Sequence, residues 1–188
     1  MMIHHTTRTR RLGLPALGHG DRLASALGGR LDDGFHFFRH VAPGGGDPID
    51  AVVVGPGGTW TITETGERGR FRHRNGHWYR WNRGTESWVP WDATPVLTAR
   101  LAGHRLGLYL ERAALPASVE ACLLPDPQAE VTWEPDDRIG VRIEPNADRL
   151  GELMGRDEVL TPAQIDRIVA LLDPRQPLPQ LAPSAPRG

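Results

Sequence analysis

The clearest pattern of hydrophobic and polar positions lies in residues 49–65. Residues 49–55, IDAVVVG, are almost wholly apolar, whereas residues 59–65, TWTITET, place Thr at every second position. A continuous apolar run indicates a strand buried on both faces, and alternation indicates a strand with two different faces. The intervening GPGG is rich in turn formers. The pattern predicts a β-hairpin with Pro56 and Gly57 at its turn and with Gly55 opposite Gly58.

Further elements are predicted on both sides of this hairpin. Alternating aromatic and β-branched residues between turn signals predict strands at 35–41, 69–74, 77–81, 87–91, 118–125 and 138–144. Apolar stripes predict helices at 20–31, 94–114, 146–155 and 161–173. The last has the strongest start signal, since Thr161 can cap it, Pro162 suits the first helical position and Gln164 completes a capping box. This order predicts an α/β domain with a mixed sheet covered by helices.

The predicted pairing sorts the hairpin side chains into two faces. Residues directly opposite each other in a hairpin share a face, so Asp50 lies beside Thr63, with Thr65 further along. Glu64 falls on the other face, and a slip of one residue would bring it next to Asp50 instead. An Asp at the start of a strand is often only a loop cap, and a row of Thr follows from ordinary β propensity. Both the structural and the chemical interpretation of Asp50 therefore remain open.

Composition sets the broad class of the protein. The chain has 188 residues, which suits one domain. We expect a flexible basic arm at 1–17, the domain at 18–173 and a Pro-rich tail at 174–188. No apolar run approaches the roughly 20 residues of a membrane span, and the first residues lack an apolar signal core, so we expect a cytoplasmic protein with no membrane partner. A single cysteine, Cys122, excludes an internal disulfide and is expected to be a small buried hydrophobe.

The charged residues are unusual in type rather than in number. The net charge is −1, so no global field attracts nucleic acid. All 22 basic residues are Arg, which excludes any mechanism that needs a lysine amine.

Residues 68–91 combine six Arg with four Trp, one Tyr and one Phe. Aromatic side chains that stack on bases, next to Arg that contacts the backbone, are typical of unspecific single-strand binding. The candidates for phosphate contact are Arg72, Arg74, Arg80 and Arg83. Phe71, Trp78 and Trp81 are expected to face the core. The alternative is a twisted ribbon whose Trp side chains cover the sheet while its Arg side chains face water.

A family resemblance covers roughly residues 18–173. The segments GHGDRLASALGGRL, FHFFRHV, IDAVVVGPGGTWTIT, GRF and NGHW together resemble the nuclease-related domain (NERD) family. That family belongs to the restriction-endonuclease-like superfamily of metal-dependent nucleases, and IDAVVVGPGG is the most specific part of the match. The resemblance implies a restriction-endonuclease-like mixed β-sheet flanked by helices.

The resemblance also implies where a catalytic centre would lie. Asp50 matches the metal-binding Asp of the family, and Asp21 matches the acid of its first helix. The family Glu falls on Thr63 and the family Lys on Thr65, which are the same two positions that the hairpin pairing sets beside Asp50. Mg²⁺ or Mn²⁺ would be held weakly by Asp50 and Asp21, because a Thr hydroxyl brings no charge.

These matches lead to one expectation and two alternatives. We expect a catalytically impaired NERD-like protein that retains weak binding to DNA or RNA. The first alternative is an active Mg²⁺-dependent phosphodiesterase that uses Asp21, Asp50 and Glu64. The second is a non-catalytic module for protein interaction.

Overall fold

A computed structural model describes residues 1–5, 22–134 and 139–173 of the chain. The strands are β1 Met2–His5, β2 His36–Val41, β3 Ile49–Gly55, β4 Gly58–Glu64, β5 Gly69–Arg74, β6 His77–Asn82, β7 Ser87–Pro90, β8 Val119–Leu124, β9 Ala129–Trp133 and β10 Arg142–Ile143. The helices are α1 Arg22–Gly28, α2 Thr94–Arg112, α3 Ala147–Met154 and α4 Pro162–Leu172, with a 3-10 turn at Pro43–Gly45. The predicted tail at 174–188 and most of the predicted arm lie outside the described residues.

The described strands form two mixed sheets. The first has the order β1-β2-β3-β4-β8-β10, with antiparallel pairs on both sides of β3 and parallel pairs elsewhere. The second has the order β7-β6-β5-β9, in which only β5 and β9 run parallel. The predicted α/β class with helices flanking a mixed sheet is confirmed. The expectation of a single sheet is wrong, because residues 69–91 leave the first sheet and build the second with β9.

The predicted hairpin lies at the centre of the first sheet with the expected register. Gly55 pairs with Gly58, and the pairing continues to Ala51 opposite Ile62. Ala51 and Ile62 face a core shared with α1 and α3, whereas Val52 and Val54 face a second core shared with α2 and α4. The valine run is apolar on both faces because helices cover both faces of this sheet.

Helix α2 closes tightly over the threonines of β4. A Cβ on Gly103 would lie 2.8 Å from the Cβ of Ala121 and 3.5 Å from Oγ1 of Thr61, so glycine sets the closeness of helix and sheet. Thr59 and Thr61 are buried beneath it, and within the described residues their hydroxyls have no hydrogen-bond partner. The threonine row is therefore sealed under a helix along much of its length.

Four sequence predictions need correction. Met2–His5, placed in the flexible arm, instead pairs in parallel with β2 as an edge strand. Strand β9 was not predicted, although Val131 and Trp133 alternate with polar residues. The strand expected at 138–144 is reduced to Arg142–Ile143, since Gly140 adopts a positive φ of 70° just before it. Helix α1 is shorter than expected because it ends at the glycine pair that follows Leu27.

Candidate nucleic-acid interface

Asp50 lies at the open end of the β3–β4 hairpin, where its carboxylate accepts a hydrogen bond from the backbone. The paired register ends at Ala51 opposite Ile62, and Asp50 and Thr63 are the next residues along the two strands. Oδ2 of Asp50 accepts a hydrogen bond from the Glu64 N–H at 3.1 Å. A carboxylate that accepts a strand N–H in this way holds the end of the hairpin closed, as a loop cap does.

The Glu64 side chain lies on the other face of the hairpin. It forms an ion pair with Arg39, which comes from β2 opposite Ala51. The Arg39 guanidinium also donates to the Asp50 carbonyl oxygen at 3.5 Å. The register has no slip, so the Glu64 carboxylate is held by Arg39 instead of turning towards that of Asp50.

The remaining residues that the family resemblance singled out are placed as follows. Thr63 is 6 % exposed beneath α2, and Oγ1 of Thr65 accepts a hydrogen bond from the Glu67 N–H at 3.2 Å. Asp21 lies outside the described residues. In the ranges that the structure covers, no group of three or more His, Cys, Asp or Glu side chains is arranged to hold a metal ion. The described part of this centre offers one carboxylate that is already hydrogen-bonded, and two uncharged alcohols.

The second sheet has one face towards the core and one towards solvent. Phe71, His73 and Trp78 share the inner side with Trp91, and Trp78 and Trp91 pack against the apolar cluster at the start of α2. We use the name outward face for the opposite side, which includes Arg70, Arg72, Arg74, Tyr79, Trp81 and Trp88. The expectation that Phe71 and Trp78 face the core is confirmed. It is wrong for Trp81, which pairs with Trp88 on the other side of the sheet.

Guanidinium groups and indole rings are layered on the outward face. The Arg72 guanidinium carbon lies 4.5 Å from the Trp88 ring centroid, and that of Arg70 lies 5.5 Å from the Trp81 centroid and 5.7 Å from that of Trp88. The two indoles meet edge to face at 5.4 Å. Such contacts hold planar cations and aromatic rings in place before any ligand arrives.

Carboxylates of β9 and of the residue that follows it lie along one margin of the outward face. Arg70 pairs with Glu130 at 3.1 Å and Arg74 pairs with Glu134 at 3.2 Å. Arg72 lies between them, and its Nε is buried without a hydrogen-bond partner within the described residues. Within the described ranges, the outward face therefore combines two arginines in ion pairs with one, Arg72, that forms none.

The four predicted phosphate-contacting arginines fall into two groups. Arg72 and Arg74 lie on the outward face. Arg80 pairs with Phe71 and Val89 and belongs to the other side of the sheet, and Arg83 follows β6 in a turn. The latter two line a cavity of about 540 Å³, which we call the arginine cleft and which is formed by Arg68, Arg70, Arg80, Trp81, Asn82 and Arg83 with Gly69 and Val89. Sequence analysis did not select Arg70, although its alternation with Arg72 and Arg74 placed it on their face.

Among the pKa values that folding shifts in the described residues are those of Asp126 and Cys122. The N–H of Gln128 and then the guanidinium of Arg68, at 3.2 Å, hold the pKa of the Asp126 carboxyl below its ordinary value of 3.8. Burial raises the pKa of the Cys122 thiol to about 12. The prediction that Cys122 is buried is confirmed, and its raised pKa makes it a poor nucleophile.

Two general findings bear on function. None of the helices in the described residues combines the length and the apolar character that a membrane span requires. No family model matches this chain, and no curated protein or solved structure matches it either.

Proposed function

We propose that this chain is a nucleic-acid-binding protein built on a nuclease-related, restriction-endonuclease-like scaffold whose catalytic centre is degenerate. The observation that carries the proposal is the outward face, where Arg70, Arg72 and Arg74 alternate with the rings of Tyr79, Trp81 and Trp88. Rings of this kind stack on unpaired bases, and guanidinium groups contact the phosphates between them. The proposal places the protein in the cytoplasm, where single-stranded nucleic acid is at hand.

Single-stranded nucleic acid suits the outward face better than a duplex does. Bases reach an aromatic side chain only when they are unstacked, and guanidinium planes can stack on bases as well. The acids Glu130 and Glu134 and the overall charge of −1 reduce the long-range attraction. We therefore expect weak, salt-sensitive binding without strong sequence preference.

The proposal that catalysis is impaired rests on the residues of the β3–β4 hairpin. A metal-dependent nuclease needs ligands that retain charge and a group that positions the attacking water. The family resemblance assigns Thr63 and Thr65 to those positions. Glu64 is paired with Arg39, and no lysine is available. Plasmid nicking with Mn²⁺ tests this part, and nicking that Asp50→Ala abolishes would favour the active phosphodiesterase.

Binding is tested by fluorescence anisotropy with single-stranded DNA and RNA at about 50 and about 200 mM salt. The variant Arg72→Ala/Arg74→Ala is compared with Arg156→Ala/Arg167→Ala, which removes the same charge from exposed positions outside the second sheet. Each phosphate contact contributes about 0.7 to the salt slope for single strands, so the first variant should lower the slope by about 1.4. Equal binding by both variants would remove the support for the outward face.

A second candidate function is protein interaction, which two surface features favour. Leu97 and Leu101 of α2 are 51 % and 47 % exposed one helical turn apart. Among the described residues, β10 pairs with β8 only at Cys122 and Leu123, so residues 119–121 have no paired strand on that side and lie beside a cavity of about 620 Å³. An extended peptide can add to such an edge. Two results together would favour this function. The protein would bind no nucleic acid at any salt concentration tested, and it would bind a peptide in a way that Leu97→Asp/Leu101→Asp abolishes.

A further inference from the structure

The arginine cleft opens where two neighbouring strands part. Strands β5 and β6 pair from Phe71 opposite Arg80 to Arg74 opposite His77. Before Phe71, the residues Gly69 and Arg70 pair with β9 alone, while β6 continues beside β7. The gap between the two strands is a cavity of about 540 Å³, which lies within the usual size range of small-ligand sites.

The polar side-chain atoms that the cleft offers to a ligand are hydrogen-bond donors. A guanidinium group has five N–H donors and no acceptor. Oδ1 of Asn82 accepts from the N–H groups of Gly84 at 2.8 Å and Thr85 at 3.4 Å, so its free polar atom is the amide nitrogen. No Asp or Glu of the described residues lines the cavity. A ligand that satisfies this lining must be rich in acceptors and negatively charged.

The charge of the cleft is only partly compensated. Arg68 pairs with Asp126 at 3.2 Å and Arg70 pairs with Glu130 at 3.1 Å. Arg80, in contrast, donates to the Arg68 carbonyl oxygen at 3.4 Å and lies 5.7 Å from the Phe71 ring centroid. Arg83 has no ion-pair partner within the described part of the chain. Two guanidinium groups therefore face the cavity without a matching carboxylate.

We propose that the arginine cleft binds the phosphomonoester of a nucleotide, either at the end of a strand or free. Such a group carries nearly two negative charges near pH 7 and has three acceptor oxygens. The guanidinium groups of Arg80 and Arg83 therefore complement it better than they complement an internal phosphodiester, which carries a single negative charge. The Trp81 indole supplies an apolar wall for the base. Because Arg70 and Trp81 also belong to the outward face, a strand lying on that face would end in the cleft. Binding of a phosphate at the end of a strand rests on the proposed function, whereas binding of a free nucleotide does not.

The test compares oligothymidylates of about ten nucleotides that carry a terminal phosphate or a terminal hydroxyl. Direct binding of dTMP and of inorganic phosphate is measured by calorimetry. The variants are Arg83→Ala and Arg83→Glu, because Arg83 is exposed and unpaired and its loss should not disturb folding. Arg167→Ala is the matched control. We expect the terminal phosphate to strengthen binding about tenfold. We expect both Arg83 variants to abolish this gain and the control to keep it.

The pH dependence gives a second readout. The gain from the terminal phosphate should grow as the pH rises through about 6, where the phosphomonoester loses its second proton, and the hydroxyl-ended strand should show no such change. A strand that binds through Arg72 and Arg74 without gain from a terminal phosphate, with no binding of dTMP, would overturn the inference while the proposed function stands. Binding of dTMP that depends on Arg83, without binding of the hydroxyl-ended strand, would support the inference while the proposed function fails.

Discussion

Replacement of Asp50 separates a structural role from a catalytic one. In the structure, Asp50 accepts the Glu64 N–H at 3.1 Å and lies beside two uncharged alcohols. A hydrogen bond to a charged acceptor contributes about 1.5–3 kcal/mol, and a half-exposed site belongs at the lower end. We expect Asp50→Ala to lower the free energy of unfolding by about 1.5 kcal/mol. That loss corresponds to about 3–6 °C in the melting temperature of a domain of this size. Asp50→Asn keeps an acceptor oxygen and should lose about half as much.

Thermal unfolding with and without Mn²⁺ tests the same residue for metal binding. A metal at 100 times its dissociation constant would stabilise the folded state by about 2.7 kcal/mol. We expect Mn²⁺ to change the melting temperature of the unmodified protein and of Asp50→Ala by the same small amount. Asp166→Ala, an exposed acid on α4, controls for general charge effects. A rise of several degrees in the unmodified protein and in Asp166→Ala, but not in Asp50→Ala, would refute the proposal that this centre is degenerate.

Three further predictions concern packing, capping and titration. Gly103→Val should cost about 1–3 kcal/mol in urea unfolding, since its Cβ would lie 2.8 Å from that of Ala121, and unchanged stability would contradict the close helix contact. Thr161→Ala breaks the observed capping box and should cost about 1 kcal/mol, while Thr161→Ser should not. With a pKa raised to about 12, Cys122 should react with iodoacetamide at pH 8 far more slowly in the folded than in the urea-unfolded protein. Equal rates would show that the thiol is accessible.

One prediction concerns pH. The pKa of Asp126 lies below its ordinary 3.8 in the folded state, so its contribution to stability is present above that pH and is lost as the pH falls through the folded pKa. Acid unfolding should therefore be steeper below pH 3.8 for the unmodified protein than for Asp126→Asn. Parallel curves would contradict the shift.

Local signals were sufficient for the hairpin and for the last helix. The GPGG turn fixes Gly55 opposite Gly58, and alternation then assigns every side chain of the hairpin to a face. The capping box of α4 joins Thr161 and Gln164, which are three positions apart, so the start of the helix is encoded within one helical turn. In both cases the interacting groups are close in sequence, and chain entropy leaves few competing arrangements.

Long-range pairing was not predictable from such signals. β1 pairs with β2 across more than thirty residues, and β9 pairs with β5 across about sixty, so no turn signal marks either pair. The partner of Glu64 comes from β2 for the same reason. The division of the arginines depends on the point where β5 and β6 part while β5 stays paired with β9. Periodicity shows which arginines share a face of one strand, but it does not show where two strands part.

The buried threonines of β4 are related to the close packing of α2 on this strand. A glutamate at position 63 would place a second carboxylate at a site that is 6 % exposed and adjacent to Asp50, and burial of such a group costs several kcal/mol unless a cation compensates it. A threonine hydroxyl costs only about 1–3 kcal/mol without a partner. Uncharged residues therefore allow α2 to pack onto β4 in the absence of a metal ion. Once the helix is closed on that face, strong binding of an anionic ligand must use charge that remains exposed, and the outward face and the arginine cleft are two surfaces on which exposed guanidinium groups lie close to aromatic rings.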